Sequence, residues 1–120
     1  MRVGIILPLA VLLAGAALAP AIGAETKGSQ PPVPFTEAYL SDDANVAAGR
    51  AIWQEQCQHC HGKKAYPGKA PKLQPRRYKP DFVYRRVTDG FRKMPAWKEH
   101  YTDEERMQVT AYILSDTFSP

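Results

Sequence analysis

The sequence predicts an all-α domain, and three observations predict it. Apolar residues recur at helical spacing in three stretches, near residues 43–56, 80–88 and 102–115. No stretch alternates apolar and polar residues as a half-buried strand would. Prolines and glycines cluster between the helical stretches: Pro67, Gly68, Pro71 and Pro75 in one loop, Gly90 and Pro95 in the other.

Taken in order, residues 1–24 have the form of a signal peptide. Arg2 is followed by an apolar run, Val3–Ala19, and then by the small residues Ala21, Gly23 and Ala24. A cut after Ala19 would leave Pro20 first, so cleavage is expected after Ala24. Pro8 and the many alanines favour cleavage over retention as a membrane anchor, although the uncharged stretch is long enough to span. Either way the chain is delivered across a membrane, and a periplasmic location is expected. Residues 25–40 are a proline-rich N-terminal lead-in, with Gln30-Pro31-Pro32-Val33-Pro34, expected to be extended and poorly packed. Residues 41–120 make one domain.

Ser41, Asp42 and Asp43 can all cap the first helix, expected from Asp43 to Gln56 with Val46, Gly49, Ile52 and Trp53 on its apolar face. Gly49 on that face either admits a second helix or is simply tolerated. The second helix should run from Pro80, suited to a first helical position, to Thr88, with Gly90 closing it. Thr102-Asp103-Glu104-Glu105 forms a capping box for the third, which should end near Ser115. Met107, Val109, Tyr112 and Ile113 are its apolar positions.

The chemistry sits at the end of the first helix, in Cys57-Gln58-His59-Cys60-His61. In this C-x-x-C-H spacing each thiol can add across one vinyl group of a haem, and the histidine next to the second thiol is held against the iron. These are the only cysteines, so there is one site and one covalently attached haem c. Three other uses compete. A disulfide would close a very small loop. A redox pair would want a βαβ surround, which is missing here. A zinc site would need a second ligand pair some way off, and only His100 lies outside the cluster. For the opposite side of the iron, Met94 stands in a loop just before Pro95, with no packing reason to be there, whereas Met107 falls on a helix face. A weakly bound water or His100 are the alternatives to Met94. A ligating histidine gives its other ring N–H to an acceptor, and the Pro71 carbonyl is a candidate. His59, between the two cysteines, should face solvent. Trp97 and Tyr66 could line the haem pocket or serve as core aromatics.

These residues resemble the class I c-type cytochromes, small monohaem electron carriers. The matching positions are Gly49, Trp53, Cys57, Cys60, His61, Gly62, Pro71, Leu73, Gly90, Met94-Pro95 and Tyr112-Ile113. The resemblance implies the class I cytochrome c fold: three main helices plus loops wrapped round one haem. It implies His61 and Met94 as the two iron ligands, the Pro71 carbonyl holding His61, and Gly49 letting the first helix cross the last beside Tyr112. Two positions depart from the family pattern, Ala70 before the loop proline and Arg106 in the last helix. The expected function is a periplasmic electron-transfer protein, carrying one electron from a donor to a higher-potential acceptor. The alternatives are a haem subunit of a dehydrogenase or oxidase complex, or a five-coordinate gas-binding haem protein. With both axial positions filled, the iron has no open site for a substrate, so an electron carrier is expected rather than an enzyme.

Charge is unevenly spread. From Gly62 to Lys98 there are twelve cations against two carboxylates, a net +10, and the rest of residues 25–120 carries −7. Such a stretch predicts redox protein partners with an acidic docking face, met as a monomer or in a transient complex. Nucleic acid is not expected as a partner, and a membrane only if the signal is uncleaved.

Overall fold

The computed structural model describes residues 29–118; the signal segment expected at 1–24 lies outside them. The described residues are helical, with no strand, as the periodicity predicts. The main helices are α2 (Asp43–Ile52), α4 (Pro80–Asp89) and α5 (Asp103–Leu114). Shorter turns are α1 (Glu37–Leu40) and α3 (Gln58–His61), with a 3-10 turn at Pro75–Arg77. No helix among the described residues is long and apolar enough to cross a membrane.

Local chemistry accounts for the helix ends. Asp42 caps α2 by accepting from the Asn45 N–H at 2.9 Å. Pro80 opens α4, and the Gly90 N–H closes it on the Arg86 carbonyl at 3.0 Å. The capping box on α5 is formed: the Glu105 N–H reaches Thr102 Oγ1 at 3.3 Å, and the Thr102 N–H reaches Glu105 Oε2 at 2.8 Å.

Two parts of the first half differ from expectation. The lead-in is not extended throughout, because Thr36 caps a helical turn at Glu37–Leu40 by accepting from the Tyr39 N–H. It is also tied down: Phe35 packs edge-on against Tyr84, and Ser29 Oγ donates to Asp89 at 2.7 Å. The first helix does not stop at Gln56. Helical backbone continues to His61 through a wider π turn, Trp53–Cys57, which inserts one residue per turn just ahead of the first thiol.

The core is the crossing of α2 and α5, with α4 packed alongside α5. Gly49 lies at the crossing. A Cβ there would collide with the Gln108 carbonyl and come within 2.9 Å of Tyr112 Cβ, so the helix backbones are in contact. Beside it, Trp53, Tyr112 and Phe118 make a three-ring cluster with centroids 4.6–6.3 Å apart. Val83, Val87, Val109 and Ile113 complete the buried cluster. Phe118, fully buried and beyond the end of the last helix, was not anticipated as core.

Candidate haem site

Cys57 ends the π turn and Cys60 lies on α3, and the two do not pair as a disulfide. Cys57 packs against the buried cluster, and burial pushes its thiol up to about 12, with Cys60 as the second cause. His59 is exposed, as expected, with Nε2 2.9 Å from the Glu55 carbonyl.

His61 closes α3, with its ring against Trp53 at a centroid distance of 5.6 Å. Trp53 is itself fixed: its indole N–H is shared between the Gly62 and Lys63 carbonyls at 3.2 and 3.0 Å. Burial holds the His61 imidazole below its ordinary pKa, which keeps it neutral and able to act as a ligand at neutral pH. The bond expected from its ring to the Pro71 carbonyl is not formed. His61 Nδ1 is buried without a hydrogen-bond partner, and Pro71 is exposed. The reason lies in the loop backbone. The Ala70 N–H is bound to the Cys60 carbonyl at 2.8 Å and the Leu73 N–H to the Ala65 carbonyl at 3.2 Å, which holds Pro71 on the outside between them.

Met94 is held by a two-residue hairpin. Phe91 and Met94 exchange N–H···O=C bonds of 3.0 and 2.9 Å, and Arg92 at the tip has φ 56°. Gly90, at φ 73°, starts this turn; a Cβ there would meet the Met94 carbonyl oxygen at 2.5 Å. The Met94 side chain is half-buried and packs against the same cluster as Cys57. His100 is exposed and rests on Trp97 at 5.6 Å between ring centroids. Trp97 is half-buried against the core, and its N–H is bound to the Val87 carbonyl at 3.0 Å. Tyr66 is 57% exposed, with the Lys72 ammonium over its ring, so it is not a core aromatic. Among the described residues no three His, Cys, Asp or Glu side chains come together as a metal site of that type requires.

The family model described as cytochrome C oxidase, cbb3-type, subunit III matches residues 44–113, more than half of the chain. The chain belongs to the class I c-type cytochromes. Its cofactor is therefore haem c, covalently attached, and the protein is an electron carrier. This cytochrome is similar to the cytochrome c subunit of 4-cresol dehydrogenase (hydroxylating) from Pseudomonas putida. The two are 32% identical over 78 residues, covering 65% of this chain and 67% of that one. It is also similar to the cbb3-type cytochrome c oxidase subunit FixP of Sinorhizobium medicae (strain WSM419), at 29% identity over 90 residues. That match covers 62% of this chain but only 31% of that subunit.

The residues present fit a haem. Two thiols stand at the required spacing on one helical run. A neutral imidazole and a thioether, borderline and soft donors suited to iron, border the same cluster. Around them Ile52, Leu73, Tyr78, Phe82 and Trp97 are apolar side chains left half-exposed, as the walls of a slot for a large flat apolar group would be.

Proposed function

We propose that this cytochrome is a periplasmic, single-haem electron carrier that takes an electron from a dehydrogenase-type donor and passes it to a higher-potential acceptor. The observation that carries the reading is the shared apolar cluster bordered by Cys57 and by Met94, each on its own rigid turn. When bound, the haem supplies reversible one-electron storage at iron. Cys57 and Cys60 would tether it, and His61 and Met94 would hold its iron; Pro71, exposed on the loop after α3, would accept from His61 only if that loop moved. Trp53 orients His61, and the Phe91–Met94 hairpin positions the thioether. A methionine ligand paired with histidine would favour the reduced iron and raise the potential.

The tether has a direct test. The mature protein, denatured and extracted with acid acetone, is expected to keep its haem colour on the polypeptide. The double variant Cys57→Ala, Cys60→Ala is expected to lose it. Haem leaving the native sequence in acetone would overturn the assignment of these thiols.

Docking is proposed through the basic stretch. Of its twelve cations all but the half-buried Arg86 are exposed, and the one ion pair among the described residues, Arg106–Asp103, involves none of them. Phe91, 48% exposed on the Met94 hairpin, lies under the Arg86 and Arg92 guanidiniums at 3.9 and 5.2 Å. A stretch of exposed, unpaired cations with an exposed aromatic among them suits brief docking to an acidic face. Electron transfer with the native donor should slow steeply as salt rises to ~0.5 M, where screening cuts the reach of a charge well below ~10 Å. Arg92→Glu with Lys93→Glu should slow it most at low salt. A rate that is flat or rises with salt would remove the acidic partner.

A second reading is favoured by the two relatives: this chain as the haem subunit of a dehydrogenase or oxidase complex rather than a free carrier. Purification from its own cells at low salt separates the two, as a lone monomer or as a stable complex.

A further inference from the structure

Turned about 100° round α4 from the core-facing Val83 and Val87, Tyr84 and Thr88 form one wall of a second cavity, of about 530 Å³. The start of α5 and the lead-in at Ser29 and Gln30 border it while it stays open to solvent, and its side-chain polar groups include those of Thr88, Asp89, Lys98, Asp103 and Arg106. None of these belongs to the haem slot.

Arg106 is only 6% exposed and is set over the Tyr84 ring at 5.5 Å. One of its nitrogens, Nη2, is paired with Asp103 Oδ1, but Nε and Nη1 are buried with no hydrogen-bond partner. The Thr88 hydroxyl, in a side chain 2% exposed, is also buried without one. Both carboxylates in the wall are already engaged. Asp103 holds Arg106 and accepts from the Tyr84 hydroxyl at 2.9 Å; Asp89 accepts from Ser29 N and Oγ at 3.3 and 2.7 Å. The groups left open are therefore donors: guanidinium N–H groups, a hydroxyl and the Lys98 ammonium. Burying such donors unmatched is unfavourable, so the cavity calls for an acceptor-rich occupant.

We propose that this cavity binds a small monocarboxylate. A planar carboxylate matches the remaining guanidinium edge and can accept from Thr88 at the same time. Two cations and two carboxylates leave the wall without net charge, so a dianion is opposed more than a monoanion. The Tyr84 ring, backed by Phe35 at 6.1 Å, offers a short apolar surface for the ligand's carbon chain.

The test is a heteronuclear NMR titration of the haem-loaded protein with sodium acetate, against sodium chloride at equal ionic strength and against phosphate. Acetate should give saturable shifts at Thr88 and at Arg106 Nε, chloride should give none, and phosphate should bind more weakly. Thr88→Val, nearly isosteric, should weaken acetate binding about tenfold, the loss of one hydrogen bond to a charged group. Arg106→Gln should abolish binding. If that variant does not fold, Lys98→Gln, an exposed change, should still weaken binding while the native fold persists. A cavity holding only water would give no acetate-specific shift, and that result overturns the proposal. So would tighter binding of phosphate, or undiminished acetate binding in Thr88→Val.

Discussion

Gly49→Ala is expected to cost this cytochrome about 2 kcal/mol or more of stability, although alanine is the better helix former. At an exposed helical site the change would be worth about 1 kcal/mol in alanine's favour. Here the added methyl is driven into the Gln108 carbonyl, a backbone atom that cannot swing aside. Overpacking a tight core costs about 1–3 kcal/mol and sometimes more. A methyl driven into a backbone carbonyl belongs toward the top of that range, because relief requires α2 and α5 to move apart at the crossing. For a domain of this size the melting temperature should fall by roughly 8–16 °C. The comparison is Ala47→Gly, exposed on the same helix, which should cost only about 1 kcal/mol. Thermal unfolding followed by far-UV circular dichroism measures both. A Gly49→Ala protein as stable as the parent would mean that the helices do not touch at this point.

Met94→Ala is expected to change the redox properties strongly. The side chain is half-buried against the core cluster, and its backbone is fixed on both sides by the exchange of hydrogen bonds with Phe91. Truncation removes the soft thioether and leaves the hairpin standing. The reduction potential should fall by on the order of 100 mV, a fraction of the ~0.8 V over which axial ligands tune haem. Carbon monoxide should bind the reduced variant and not the parent. Met107→Leu is the control: Met107 is fully buried on α5, so that change should cost under about 1.5 kcal/mol and leave the potential alone. An unchanged potential in Met94→Ala, with no carbon monoxide binding, would shift the assignment to His100 or another group.

What was legible in the sequence was local. Asp42, Pro80, Gly90 and the Thr102–Glu105 box are signals within one turn of the ends they set, and the helices begin and end within a few residues of where they point. The two thiols and His61 fall within five consecutive residues, so their spacing is a local signal too. Gly49 left two outcomes open, and only the path of α5 chose between them. The π turn at Trp53–Cys57 has no local signature, because it arises from how the end of α2 seats Trp53 in the core. Arg92 could not be foreseen at φ 56°, since arginine has no preference for it; the Phe91–Met94 pairing imposes it. Pro71 was legible as a loop breaker but not as exposed, which depends on backbone bonds from Cys60 and Ala65. Arg106 stood out as a charge in the last helix, yet its burial over Tyr84 needed α4 to be in place.

The crossing at Gly49 also orders events in time. The helix carrying the thiols leads directly into the haem motif, whereas its partner α5 comes after two loops and another helix. A chain made or exported from its N-terminal end presents Cys57 and Cys60 well before α5 and Phe118 arrive. Contacts between such distant segments form late, because the long loop between them must first be closed. The pocket would then be a seam that shuts around a group already attached. The prosthetic group would be loaded onto an open polypeptide, and the meeting of α2 with α5 would lock it in.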